Sequence, residues 1–496
     1  MLLLGWAATA YGISTANGHF SVVALILVTA GAAGVGAAAW RSLREGTGSP
    51  RMQERRPHAG VPTAQPGRLL PLGVGAAMLV VILAPFLWLR PFLASGPALA
   101  TSRVLMALAA VLAAGTALPL LDTLRHERRR DRGSRGHRGR RSRASGAGTS
   151  PWQWTQPALR RLELLVQARW AFWLVLALAA GAAGAMVVAT PDPRIDVFYL
   201  LQGSADGILH GADMYQQSWA PIPELYRSGG LFAVYPYLPG TSVLVLPARI
   251  LFGDVRYAEI AALVVAAVML RRMLPRRFPG LTPGSAQPGA AVPALVPLLV
   301  LVFPRMSYSI QQAWTEPLLV VALVGMVWAV STGRMKLSVV FLAAALASKQ
   351  HVFLLLPLAA CWPAFGWRRA LAAAGGAALF VLPWVLAGPA DFWHDAVSVN
   401  LGYDVLAQGL DWPAVAAQHG WGVGFGLTAV GLAGAYVVAL RLRRTAFGFC
   451  LGSALVVYIL NLTNKQSFFN HYTLGMALVV LAVVVGLRED AGTHAD

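Results

Sequence analysis

The stretch RIDVFYLLQGSADGILHGADMY, residues 194–215, places three aspartates and a histidine directly after one of the most apolar segments of the chain. Ionisable residues at the edge of an apolar segment are costly to place there, and they are therefore candidates for function. A carboxylate in this position can act as a general base toward a hydroxyl group, whose own pKa lies far above neutral. One of the carboxylates of this region is therefore a candidate for the catalytic base.

Three further polar stretches interrupt the apolar pattern: PRMSYSIQQAWTE (304–316), ASKQHVF (347–353) and NLTNKQSFFNHY (461–472). They supply cations, imidazoles and amides, and such groups can stabilise the charge that develops on a departing phosphate. The candidate substrate-binding residues of the chain are Asp206, His210, Tyr235, Gln311, Glu316, Lys349, Gln350, His351, Gln466 and His471. A carboxylate base on one wall and cationic groups on the other suit the transfer of a sugar from a lipid phosphate to a hydroxyl.

Simpler interpretations stand beside these roles. Asp196 can cap the helix that begins at Val197. The i, i+4 spacing of Asp206 and His210 also fits an exposed surface pair, and Lys349 can extend its ammonium to the membrane interface. Asp196, Asp206 and His210 could in principle hold Mg or Mn, but their spacing is not diagnostic, and no metal or other cofactor is expected.

The composition determines the class of protein that must position these groups. The chain has 496 residues, of which 57% are hydrophobic and 12% charged, so its polar surface could not cover a water-soluble globule. Apolar runs near the length of a membrane-spanning helix recur from residues 2–16 to residues 470–487, without the alternating pattern of a membrane barrel. We predict an all-α polytopic membrane protein of about 13–14 transmembrane helices.

The charge pattern orients these helices. The net charge is +19, but the arginines cluster in connections between apolar runs, which indicates cytoplasmic loops rather than nucleic-acid binding. We divide the chain into N-terminal transmembrane helices of unknown role (1–121), a basic cytoplasmic linker (122–167), a catalytic transmembrane domain (168–487) and a cytoplasmic tail (488–496). The first outer loop, 191–254, carries juxtamembrane helices, and its segment 237–252 is interpreted as interfacial or re-entrant because of Pro239, Gly240, Pro247 and Arg249.

The ordered motifs resemble a known superfamily. LLQGSADGILHGADMY, VYPYLPGTSVLVLPARILFG, TEPLLVVALV and ALASKQHVFLLLPL together look like the GT-C integral membrane glycosyltransferases. Within these they are most similar to glycosyltransferase family 87 and the actinobacterial mannosyltransferases that use polyprenyl-phosphate mannose. The resemblance covers residues 168–487.

The resemblance implies a plasma-membrane hexosyltransferase whose active site faces the periplasmic or extracellular side. Its donor would be a polyprenyl-phosphate sugar, with mannose expected, and its acceptor an outer-leaflet lipid or a cell-envelope glycan. Asp196 would be the catalytic base and Lys349 the residue that faces the lipid phosphate. The chain has KQHVF in place of the commoner K-x-x-P pattern, with Pro357 further on, which leaves the phosphate contact open between Lys349 and His351.

Two other functional classes remain alternatives. A secondary transporter or lipid flippase predicts internal repeats and charges near the middle of the membrane. A glycan ligase or polymerase predicts a lipid-linked oligomer as donor instead of a single sugar. Membrane lipids are expected partners in every case, and nucleic acid in none.

Overall fold

The protein is an all-α polytopic membrane protein. The computed structural model describes residues 1–16, 20–46, 93–115, 170–219, 234–274, 295–302 and 306–493, and no strand occurs among them. The linker 122–167 and the apolar run 69–92 lie outside the described residues. The α-helices are α1 (Leu2–Thr15), α2 (Val22–Gly46), α3 (Gly96–Gly115), α4 (Ala171–Ala189), α5 (Asp196–Leu209), α6 (Gly240–Phe252), α7 (Arg256–Met273), α8 (Met306–Gln311), α9 (Glu316–Ser331), α10 (Met335–Leu346), α11 (Leu356–Cys361), α12 (Trp367–Ala387), α13 (Pro389–Phe392), α14 (Val399–Gly402), α15 (Trp412–Gln418), α16 (Phe425–Ala439), α17 (Ala446–Thr463) and α18 (Tyr472–Thr493).

Five helical stretches within the described residues are long and apolar enough to cross a membrane: Val22–Glu45, Ala171–Ala189, Trp367–Ala387, Ala446–Thr463 and Phe469–Glu489. Helix α18 is the most buried of these, and it packs against α1, α9 and α17. Helix α12 lies at the periphery and exposes Leu371, Leu379 and Leu386. Its apolar surface suits contact with lipid chains.

The segment 237–252 forms the short helix α6. At 13 residues this helix is about 20 Å long, less than the ~30 Å hydrocarbon core of a bilayer. Its length therefore agrees with the interpretation of this segment as interfacial or re-entrant.

The apolar runs 336–349 and 350–366 meet at a break in helical structure. Helix α10 ends at Leu346, and Lys349 has an extended backbone with φ −149° and ψ 132°. A 3₁₀ segment, Gln350–Leu355, follows and leads into α11, which Pro357 helps to start. The break is consistent with the preference of proline for the first turn of a helix, and it places Lys349, Gln350 and His351 at the junction of two elements.

The N-terminal helices α1 and α2 pack on α17 and α18. Small residues allow α1 and α2 to approach closely, as in many membrane helix pairs. Thr9 of α1 accepts a hydrogen bond from the Tyr458 hydroxyl of α17 over 3.1 Å, in a buried position. The helical hairpin at the start of the chain is thus joined to the last helices of the chain.

Gly31 of α2 tests this packing. A Cβ atom at Gly31 would lie 2.0 Å from Thr9 Oγ1 and 2.9 Å from the Gly5 carbonyl oxygen, whereas one at Gly36, on the same helix, would meet nothing within 4 Å. We expect Gly31→Ala to lower the free energy of unfolding by about 1–3 kcal/mol through overpacking. Gly36→Ala is the matched control and should be neutral or stabilising. Thermal unfolding of both variants in detergent micelles measures the difference, and equal melting temperatures would contradict it.

Candidate functional site

Asp196 is the first residue of α5. Ile195 precedes it with an extended backbone, and Arg194 adopts the left-handed region with φ 46°. The Asp196 carboxylate accepts a hydrogen bond from the Val197 backbone N–H over 2.8 Å, so part of the expected capping role is present, although the N-cap position itself belongs to Ile195. The side chain is half-buried, and burial raises its pKa above the ordinary aspartate value. A raised pKa suits a carboxylate that must accept a proton.

Glu316 and Lys349 form a buried ion pair. Lys349 Nζ donates to Glu316 Oε1 over 2.7 Å, and the two side chains are 12% and 2% exposed. Asn470 Nδ2 lies 3.5 Å from the second carboxylate oxygen of Glu316. Lys349 therefore points toward the protein interior, and its interpretation as a residue extended to the membrane interface is wrong.

Tyr237 interacts electrostatically with both Asp196 and Glu316. The Lys349 ammonium is 5.9 Å from the centre of the Tyr237 ring. Burial, and then the negative charges of Asp196 and Glu316, raise the pKa of the Tyr237 hydroxyl well above its ordinary value. Tyr403 also interacts electrostatically with Asp196, so two tyrosines stand beside the candidate base.

Two histidines complete this set of groups. His351 and His471 each interact electrostatically with both Glu316 and Lys349. Both imidazoles are half-buried. The structure thus brings together residues from widely separated parts of the chain; we call this set the Tyr237 cluster, and its members are Asp196, Tyr237, Glu316, Lys349, His351, Tyr403 and His471.

Gln350 connects the Tyr237 cluster to a neighbouring loop. Its side-chain N–H groups donate to the carbonyl oxygens of Pro236 over 2.9 Å and Ala396 over 2.7 Å. Asn400 Nδ2 donates to the same two carbonyl oxygens over 3.0 and 3.1 Å. Both amide hydrogens of Gln350 are thus used to hold backbone segments together, and its role in substrate binding stays a prediction.

Tyr235 was also predicted to bind substrate, but its side chain is fully buried. Its ring stacks on Trp219 with centroids 6.1 Å apart, and its hydroxyl lies against that of Ser242. Hydroxyl-to-hydroxyl pairing satisfies the phenol inside the protein. Two residues further on, Tyr237 is partly exposed.

Four other predicted residues lie in separate interactions. Asp206 forms a bidentate ion pair with Arg249, with N–O distances of 2.7 and 2.8 Å. His210 Nδ1 lies 2.7 Å from the Asp206 backbone oxygen, so the expected i, i+4 contact exists but does not use the carboxylate. Gln311 is fully buried and donates to Thr190 Oγ1, and Gln466 donates to the Asp404 carbonyl oxygen. None of these hydrogen bonds connects the residue to the Tyr237 cluster.

Asp196, Asp206 and His210, which were considered above as metal ligands, do not come together as one group. Asp206 is engaged by Arg249, while Asp196 bonds to a backbone N–H. Within the described ranges, no group of three or more His, Cys, Asp or Glu side chains is arranged to hold a metal ion.

A buried arginine that sequence reasoning missed joins three elements of the fold. Arg256 is fully buried; it pairs with Asp254 over 2.5 Å and donates to the carbonyl oxygens of Thr190 and Gln311 over 2.8 and 3.2 Å. These bonds join the end of α4, the start of α7 and the end of α8. An arginine beside an aspartate at the start of an apolar run, DVRYAEIAAL, was the available signal for it.

Asp411 holds the loop before α15 against the segment that carries His471. Its carboxylate accepts from the Ala414 N–H over 2.8 Å and from the Ser467 N–H over 2.9 Å. Tyr472 adds a bond from its hydroxyl to the Leu410 carbonyl oxygen over 2.6 Å. Asp411 is the N-cap of α15, and an aspartate shortly before Pro413 was the available signal for it.

We expect Asp411 to make the stability of the protein dependent on pH. Burial raises the pKa of this carboxyl to about 7, against the opposing effect of its two backbone N–H donors. Because the folded-state pKa is raised, Asp411 favours folding most below the ordinary aspartate pKa of about 4, and this contribution is lost as the pH rises through about 7. Asp411→Asn should remove that part of the slope of melting temperature against pH.

The exposed Asp404 of the same loop provides the control for this experiment. Asp404→Asn should leave the slope of melting temperature against pH as it is in the unmodified protein. Identical slopes for the unmodified protein and Asp411→Asn would refute a titrating role of Asp411.

Neither a scan against protein-family models nor a search of curated proteins gives a match for this chain. The chemistry of the Tyr237 cluster is therefore the basis on which function is inferred. The cluster combines a carboxylate base, a fixed ammonium and two imidazoles, which suit the activation of a hydroxyl beside a departing anion.

Proposed function

We propose that this protein is an integral membrane glycosyltransferase. It would move a sugar, mannose by the resemblance of its motifs, from a polyprenyl-phosphate donor to an outer-leaflet lipid or a cell-envelope glycan. The observation that carries this proposal is the buried Glu316–Lys349 pair, which interacts electrostatically with His351 and His471 and lies beside Tyr237, whose hydroxyl also interacts with Asp196. A base and a set of cationic or imidazole groups in one cluster are what such a transfer needs.

In the proposed reaction Asp196 acts as the general base. The acceptor hydroxyl gives its proton to the Asp196 carboxylate as the acceptor oxygen bonds to the anomeric carbon of the donor sugar. The bond between that carbon and the phosphate oxygen breaks, and its electron pair stays on the departing polyprenyl phosphate. The raised pKa of Asp196 supports this role, because a base is most effective when its pKa approaches the working pH.

Lys349, His351 and His471 would receive the phosphate. An ammonium has three N–H donors, and Glu316 accepts only one of those of Lys349 in the described contacts. Glu316 thus fixes the direction of the ammonium and leaves donors for an anion. The ring of His351 makes no hydrogen bond with other described residues, which supports its use as a second phosphate contact.

Strained backbone close to Asp196 and Glu316 supports the Tyr237 cluster as the site of the reaction. Three described residues other than glycine have positive φ, and two of them are Arg194, two residues before Asp196, and Ala313, three residues before Glu316. Non-glycine residues in the left-handed region cost free energy and concentrate at functional sites. Both carboxylates of the Tyr237 cluster thus follow a strained turn.

A transfer assay tests the proposal. The purified protein in lipid vesicles should move radiolabelled mannose from polyprenyl-phosphate mannose to one of a panel of alkyl glycosides, giving a labelled product that no longer carries phosphate. Labelled donor that crosses the vesicle membrane unchanged would instead identify a transporter or flippase. A requirement for a lipid-linked oligomer would identify a ligase or polymerase.

Thiol labelling in intact cells tests the orientation. In a Cys361→Ser background, Asp192→Cys, near the Tyr237 cluster, should react with a reagent that cannot cross membranes. Arg444→Cys, in an exposed position beside the basic connection before α17, should react only after the cells are permeabilised. The reverse pattern would overturn the outward-facing site.

A further inference from the structure

An exposed histidine next to the Tyr237 cluster is oriented by a buried carboxylate. His394 Nδ1 lies 2.8 Å from Asp395 Oδ1, and the two side chains are 64% and 6% exposed. The second oxygen of Asp395 accepts the Tyr235 backbone N–H over 2.7 Å. Both residues belong to the π-helical segment Trp393–Ser398, a widened helical turn of a kind that is frequent at functional sites.

This geometry determines which ring nitrogen of His394 is free to bind. A carboxylate accepts hydrogen bonds, so Nδ1 carries the proton that it shares with Asp395. In the neutral imidazole the other nitrogen, Nε2, then has a lone pair that can accept a hydrogen bond. Because the side chain is mostly exposed, that lone pair is open to a hydroxyl group from solution.

The position of the pair relative to the base indicates what it would bind. Asp395 accepts the backbone N–H of Tyr235, whose ring lies edge-on to that of Tyr237 with centroids 5.6 Å apart, and Tyr403 interacts electrostatically with both Asp395 and Asp196. Gln350 and Asn400 fix the Ala396 carbonyl oxygen one residue beyond Asp395. An acceptor whose reacting hydroxyl reaches Asp196 would therefore extend its other polar groups toward His394.

On the basis of the proposed function, we infer that His394, which is oriented by Asp395, binds the acceptor. Its Nε2 accepts a hydrogen bond from a non-reacting hydroxyl of a carbohydrate acceptor. The neighbouring Trp393, whose side chain is 63% exposed, supplies an aromatic surface beside it. A few placed polar groups next to aromatic rings are typical of sites that orient small ligands. The donor, by contrast, is bound through its phosphate at Lys349 and His351.

Steady-state kinetics separate the two substrates. With polyprenyl-phosphate mannose as donor and an alkyl mannoside as acceptor, His394→Ala should raise the KM for the acceptor about tenfold, the equivalent of one hydrogen bond of about 1.4 kcal/mol. The donor KM and the kcat at saturating acceptor should not change. His394→Gln should restore part of the acceptor affinity, because its side-chain oxygen can accept a hydrogen bond from a similar position.

His419 offers a matched control. It is an exposed histidine beside Trp421, with ring centroids 6.2 Å apart, but it has no carboxylate partner among the described salt bridges. His419→Ala should leave both KM values as they are. Transfer by the unmodified protein together with an unchanged acceptor KM in His394→Ala, or an equal loss toward both substrates, would overturn the acceptor site alone. Complete absence of transfer by the unmodified protein would overturn the proposed function instead.

Discussion

Replacement of Asp196 by Asn is expected to lower the rate of sugar transfer by about 10³-fold, since a positioned general base contributes about 10²–10⁴-fold. Asparagine keeps the size of the side chain and can still accept the Val197 N–H bond. It cannot accept the proton of the acceptor hydroxyl. The measurement is kcat with radiolabelled polyprenyl-phosphate mannose, with folding checked by thermal unfolding.

Asp192 provides the control for this substitution. It lies four residues before Asp196, in the connection that leads into α5, and its side chain is largely exposed beside Arg194. Asp192→Asn should transfer sugar nearly as fast as the unmodified protein. If Asp196→Asn retained a comparable rate, the base would have to be sought elsewhere in the Tyr237 cluster.

The second large effect is expected at the pair of Glu316 and Lys349. Removing one partner of a buried ion pair leaves an uncompensated charge and costs about 3–5 kcal/mol. Glu316→Gln should therefore lower the melting temperature strongly, and so should Lys349→Met. The double variant should recover much of the loss, because it removes both charges together.

The pair of Asp206 and Arg249 is the comparison for this cycle. Its bonds are equally short, but its side chains are 43% and 27% exposed. Solvent screens exposed pairs, which contribute about 0–1 kcal/mol. Asp206→Asn should thus have a small effect on the melting temperature. An effect of Glu316→Gln no larger than that of Asp206→Asn would show that burial does not govern the Glu316–Lys349 pair.

The helices of this protein can be predicted from its sequence because the membrane restricts the backbone conformations that can cross it. A long apolar run with polar ends must form a helix to satisfy its own backbone. The run 168–190 accordingly becomes α4, Ala171–Ala189, and the run 446–462 becomes α17, Ala446–Thr463. The break at Lys349 falls at the predicted boundary between the apolar runs 336–349 and 350–366, where one short polar motif was the signal for it.

Some residues of the candidate site could be predicted from the sequence. Asp196, Lys349, His351 and His471 could be proposed because each is an ionisable residue at the edge of an apolar run. The direct bond between Glu316 and Lys349 could not, since 33 positions separate them and nothing in the sequence fixes which side chains face each other. For the same reason Asp206 was considered with His210, its neighbour on the helix, rather than with Arg249.

Three residues that were missed lie in loops or, for Asp395, in the π-helical segment Trp393–Ser398, where no periodic pattern marks them. Tyr237, Tyr403 and Asp395 carry no spacing that distinguishes them from interfacial aromatics or surface carboxylates. Their importance arises from bonds to backbone groups, such as that from the Tyr235 N–H to Asp395. Backbone geometry in loops is set by tertiary contacts, and a single sequence does not display it.

The bond between Thr9 and Tyr458 spans 449 positions of the chain, and this has a consequence for biosynthesis. A ribosome adds about 5–20 residues each second, so roughly 20 to 90 s pass between the synthesis of these two residues. During that interval the first two helices are already made, while the helices that cover them are not. Lipid or an insertion chaperone must shield their small-residue surface until translation is nearly complete.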